Sequence, residues 1–151
     1  TASLFCTASE SGAVLGEAPE KEVQPLREYG YNIGMAFQVQ DDLLDFKGDP
    51  SDLGKPVGSD LLNGVLTLPT IMLLERYPND DLVQSLFSDR SNDTKLQKVV
   101  EVIKDSTILA DCEEVVQDYS RKACEALQTL PDCEAKRSLL DLADYITARR
   151  R

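Results

Sequence analysis

Apolar residues recur along this chain at three- and four-residue intervals, and strand-like alternation of β-branched residues is scarce. That spacing predicts helices throughout. A first helix is expected over about 2–16, stopping near Gly16 and Pro19. A second should run from about Val23 to Phe46, with Leu26, Ile33, Phe37 and Leu44 as its apolar stripe and Gly48 and Pro50 ending it. Residues 47–58 hold three Gly and two Pro and read as a shaped loop. A third helix should open at Ser59 or Asp60 as N-cap and reach about Tyr77. It is apolar all round, which predicts burial on every side, and Pro69 inside it predicts a kink. Amphipathic helices are expected near 79–88, 93–105, 108–129 and 133–149. Their seams are Val99, Val102 and Ile103, then Val116, Tyr119, Ala123, Ala126, Leu127 and Leu130, then Leu139, Leu142, Ala143 and Ile146. The fold class that follows is all-α, a helical bundle forming a single helical region over 1–151.

Charge and composition narrow the function. The chain carries 27 acidic and 16 basic residues, net −11, the wrong sign for gripping a nucleic-acid backbone, so no nucleic-acid partner is expected. The longest run without a charge, Leu61–Leu74, is shorter than a membrane span needs, so no transmembrane segment is expected. There is no His, which removes Ser-His-Asp and Cys-His nucleophiles and His-ligated zinc. Cys6, Cys112, Cys124 and Cys133 form no CxxC pair and read as reduced thiols serving as small core residues in a cytoplasmic protein.

The chemistry concentrates in Phe37-Gln38-Val39-Gln40-Asp41-Asp42-Leu43-Leu44-Asp45. At about 100° per residue, Gln38, Asp41, Asp42 and Asp45 share one arc, with Gly34 one turn earlier leaving space beside it. In open water, like charges four residues apart cost only about 0.2–0.5 kcal/mol. At the edge of a cleft each pair costs about 3 kcal/mol, and no Lys or Arg stands three or four residues away to offset it. Either the face is fully solvated or a divalent cation fills it. Carboxylate oxygens suit Mg²⁺, which keeps waters and takes phosphate co-ligands. Lys55, between Gly54 and Pro56, could contact a diphosphate or be an ordinary surface lysine. An EF-hand calcium loop is excluded, because Asp45, Asp49 and Asp52 lack its alternate-residue spacing and Pro50 interrupts it.

FQVQDDLLD followed by GDPSDLGKPVGSDLLNGVLTLP resembles the second aspartate-rich region of the trans-polyprenyl diphosphate synthases, and the resemblance extends over essentially the whole chain. It implies the isoprenoid synthase fold, here as its C-terminal part, with the first aspartate-rich motif absent because it belongs upstream. The implied reaction is Mg²⁺-dependent condensation of an allylic prenyl diphosphate with isopentenyl diphosphate by a homodimer. The resemblance makes Asp41 a direct Mg²⁺ ligand, with Asp42 and Asp45 holding metal-bound water or completing the site. It assigns Lys55 to the allylic diphosphate, Gln38 to the reacting carbons and diphosphate oxygens, Phe37 to the apolar wall, and Thr1 to the neighbourhood of the cation. Val65 stands where many members carry Lys, and the Lys that would precede Thr1 is missing, which hints at proteolysis or truncation. These 151 residues alone are therefore expected to be inactive. Three other readings remain: a related Mg²⁺-dependent cyclase, which GKPVGSDL disfavours, a noncatalytic subunit of a heteromeric synthase, and a helical interaction domain with a solvated acidic face.

Overall fold

A computed structural model describes residues 1–47, 56–88 and 93–149. Its helices are α1 (Ala2–Leu15), α2 (Glu20–Lys47), α3 (Ser59–Leu62), α4 (Leu68–Arg76), α5 (Asp81–Ser88), α6 (Asp93–Asp105), α7 (Ile108–Ala126) and α8 (Glu134–Ala148), with a 3₁₀ turn over Leu127–Thr129. No strand occurs among the described residues. The chain divides into two compact units, one of Thr1–Gln40 with Glu114–Arg149 and one containing Asp41–Glu113.

In the first unit, small residues set how closely α1 and α2 approach. A methyl group built on Gly30 would lie 2.5 Å from the Phe5 carbonyl oxygen and 2.9 Å from Cys6 Cα. One on Gly34 would lie 2.7 Å from Ala2 Cα and 3.0 Å from Phe5 Cβ. The room expected beside Gly34 is thus filled by α1. Helix α1 stops where expected, but the left-handed residue is Glu17 (φ 54°), one place after the glycine. The Ala18 N–H donates to Ala13 O (3.0 Å) and Glu17 N–H to Val14 O (3.1 Å), a Schellman closure that satisfies two terminal carbonyls. Helix α2 begins at Glu20, a turn earlier than expected, and carries Pro25 near its start. Tyr29, Ile33, Ala36 and Val39 bury one face of α2, and Val116, Ala123, Leu127, Ala143 and Ile146 are buried on α7, the 3₁₀ turn and α8. The Tyr29 hydroxyl donates to Leu139 O at 2.8 Å, joining α2 to α8. Burial pushes that phenol up to about 12, with Cys124 adding to the effect.

The second unit corrects the expected third helix. It is two helices, α3 and α4, separated by residues 63–67. Gly64 adopts φ 79°, which a continuing right-handed helix does not allow. Pro69 therefore opens α4 instead of kinking a longer helix; in a first turn its missing N–H costs nothing. Nor is the segment buried on every side: Val65 is 51% exposed, Leu66 40% and Ile71 41%. The N-cap of α3 is Gly58, not Ser59 or Asp60. Gly58 has φ 74°, and a methyl there would meet Val100 Cγ2 at 2.6 Å, so both conformation and space call for glycine. Helices α3, α4 and α5 each pack on α6, where Leu96, Val99 and Ile103 are buried and Val102 is not. All four cysteines are free thiols, but Cys133 is exposed and serves no core.

Candidate functional site

The candidate residues fall on α2 and on what each unit packs against it. Gln38, Asp41, Asp42 and Asp45 all lie on that one unbroken helix. Asp41 is exposed, whereas Asp42 and Asp45 are half-buried, because Leu43, Leu44 and Phe46 on the adjoining face enter the core.

Within the second unit, two of the three carboxylates are engaged by backbone. Asp45 Oδ1 accepts from the Ser59 N–H and Oδ2 from the Asp60 N–H, both at 3.1 Å. The Asp45 carbonyl oxygen also accepts from the Gly58 N–H at 2.9 Å. Asp42 Oδ2 accepts from the Leu68 N–H, the first residue of α4, at 3.1 Å. The α2 aspartates thus cap the starts of both α3 and α4, whose own N-cap residues supply no side-chain bond. Burial pushes the Asp45 carboxyl above its ordinary range; the Asp60 and Ser59 donors pull it down, and the Asp60 charge pushes it up. Among the described residues, no three acidic, Cys or His side chains converge to hold a metal ion. The donors present on this face, Asp41 and Asp42, are hard carboxylate oxygens, the type Mg²⁺ accepts in small number alongside water and phosphate.

Nearby in that unit, the Cys112 thiol lies 3.4 Å from Met72 Sδ. Burial pushes it up to about 11, with Asp111 and Asp42 adding to the effect. Lys47 at the end of α2 pairs with Glu113. Lys55 lies outside the described residues. A groove of about 550 Å³ lined by Pro56, Val57, Leu61, Leu96, Val100 and Lys104 contains none of the motif carboxylates.

In the first unit, Phe37 is half-buried, with the Phe5 ring 5.7 Å away at 36°. The Arg149 guanidinium lies over the Phe37 ring, 5.0 Å from its centroid. The Gln40 amide donates to Arg149 O at 2.8 Å, fixing the end of α8 to α2. Thr1 is exposed at the N-cap of α1, whose first turn meets Gly34 through Ala2. The structure thus brings the start of α1, Phe37 and Arg149 to one stretch of α2, and Gln38 is exposed beside them. Arg149 was not expected there; a terminal arginine carries no local signal of what it stacks on.

The polyprenyl synthetase family model matches residues 1–104. The chain is 35% identical over 150 residues to the short chain isoprenyl diphosphate synthase of Methanothermobacter thermautotrophicus, covering 99% of this chain and 46% of that protein. It is also 35% identical to heptaprenyl diphosphate synthase component 2 of Bacillus subtilis, covering 99% and 43%. Among solved structures, heptaprenyl diphosphate synthase from Staphylococcus aureus superposes with a TM-score of 0.92 at 33% identity, covering 100% of this chain and 48% of that one. The polyprenyl synthase of Caulobacter crescentus, complexed with calcium and isoprenyl diphosphate, gives 0.88 at 34%, covering 100% and 47%. The chain thus spans about half the length of these relatives.

Proposed function

Because the chain belongs to the polyprenyl synthetase family, we propose that it is the C-terminal part of a trans-polyprenyl diphosphate synthase. The protein would join an allylic prenyl diphosphate to isopentenyl diphosphate and release diphosphate, working as a homodimer in the cytoplasm. Mg²⁺ would supply charge neutralisation for the diphosphate leaving group. Asp41, with Asp42, would hold it. Lys55 would bind the allylic diphosphate as a point charge. Gln38 would orient the reacting end of the allylic chain, Phe37 would wall it from water, and Thr1 would turn its oxygen toward the developing positive charge. None of these roles needs histidine, and the chain has none. The 151 residues contain one DDxxD, so by themselves they would not turn over.

The observation carrying this reading is that the whole FQVQDDLLD stretch lies on one helix, with exposed Asp41 at the head of its aspartates, in a chain of this family. The test is incubation of the full-length protein with an allylic diphosphate, labelled isopentenyl diphosphate and Mg²⁺. Longer all-trans polyprenyl diphosphates should appear and should vanish with a chelator. Their absence from the protein alone, with appearance only on adding a second polypeptide, would favour a subunit of a heteromeric synthase. The name "component 2" borne by the Bacillus subtilis relative keeps that reading in view.

A further inference from the structure

The resemblance groups Asp45 with Asp41 and Asp42 at the metal, and the synthase reading above builds its site on the latter two. Resting on that reading, we propose instead that Asp45 is an anchoring residue: it fastens α3 to the end of α2 and is not a metal ligand. Both of its carboxylate oxygens are already used, Oδ1 by the Ser59 N–H and Oδ2 by the Asp60 N–H, each at 3.1 Å.

The need for such an anchor is local. Helix α3 has only four residues, too few to hold itself together, and opens at Gly58, whose missing side chain cannot cap it. The Gly58 N–H is instead bonded to the Asp45 carbonyl oxygen at 2.9 Å, so three consecutive donors, on Gly58, Ser59 and Asp60, all terminate on Asp45. Ser59 is buried, and without Asp45 its N–H would lose a partner away from water. A cation taking Asp45 as a ligand would have to share oxygens already committed to two N–H donors and would draw charge away from that two-point clasp. The spacing DDxxD therefore combines two tasks: the first Asp faces outward, and the last, one turn on, holds the following helix.

The experiment compares Asp45→Ala, Asp45→Asn and Asp41→Asn in the full-length protein. It reads the metal-free thermal midpoint and the Mg²⁺ affinity measured with inorganic pyrophosphate. Asp45→Ala should lower the metal-free midpoint by about 3–6 °C, and Asp45→Asn, which keeps one acceptor, should lie above it. Asp41→Asn should leave that midpoint in place. Mg²⁺ affinity should fall less than about threefold in Asp45→Asn and about tenfold or more in Asp41→Asn. An unchanged midpoint in Asp45→Ala, or Asp45→Asn weakening Mg²⁺ as much as Asp41→Asn, overturns the proposal. Failure of the unaltered protein to bind Mg²⁺ with pyrophosphate would count against the synthase reading, and the metal-free midpoints would still decide the anchor.

Discussion

Replacing Gly30 with Ala tests the packing that brings α1 to α2. The added methyl would sit 2.5 Å from the Phe5 carbonyl oxygen, 2.6 Å from Ser9 Oγ and 2.9 Å from Cys6 Cα. Ser9 can rotate away; the other two atoms are α1 backbone and cannot. Normal separations lie near 3.5 Å, so α1 must retreat by about 1 Å, and contacts along the seam lose a quarter to a half of their attraction. Overpacking costs about 1–3 kcal/mol, and against backbone atoms that cannot rotate away the upper part of that range, about 2–3 kcal/mol, applies. Alanine's better helix propensity returns about 0.8–1.0 kcal/mol. The net loss is about 1–2 kcal/mol, or about 2–8 °C in Tm for a folding unit of about 150–250 residues. Gly12 on α1 is the control: nothing lies within 4 Å of its built methyl, so Gly12→Ala should gain the propensity term and raise Tm by about 2–4 °C. Thermal and urea unfolding followed by circular dichroism read both. A Gly30→Ala protein as stable as the parent, or both variants moving in the same direction, would refute the close-packing argument.

Two further substitutions probe buried polar groups. The Thr70 hydroxyl is fully buried and has no hydrogen-bond partner among the described residues, so Thr70→Val, which keeps the shape, should leave stability unchanged or raise it by about 1 kcal/mol; a loss of similar size in urea unfolding would contradict this. Tyr29 has its phenol raised to about 12 in the folded protein against an ordinary value of 10.0, so the unfolded chain loses its proton first. Stability from this group is complete below pH 10 and lost as pH rises toward 12; Tyr29→Phe should cost about 1 kcal/mol at neutral pH and flatten the alkaline decline between those limits, and an unaltered decline would show another group responsible.

Much of this arrangement is legible in the residues themselves. The helix over 93–105 matches its pattern to the residue, because Val99 and Ile103 are buried as their spacing requires. The motif carries its own signal, because four acceptor side chains within eight positions at helical spacing share an arc wherever the helix packs. What the sequence does not carry is non-local. Pro69 reads as a mid-helix kink until Gly64 is known to adopt φ 79° and break the helix before it. Gly34 reads as open space until Ala2 is found filling it. Asp45 reads as a third acid in a cluster, since its partners Ser59 and Asp60 lie 14 and 15 residues away, beyond any local rule.

The central claim is that Asp41 presents its carboxylate to a magnesium-bridged diphosphate. The direct measurement is the affinity of the full-length protein for an allylic diphosphate, by calorimetry, with and without Mg²⁺, for the parent and Asp41→Ala. The account predicts that Mg²⁺ tightens binding to the parent and that the variant loses about tenfold or more of that gain while its metal-free Tm stays put. Equal Mg²⁺-dependent affinity in both proteins would contradict it.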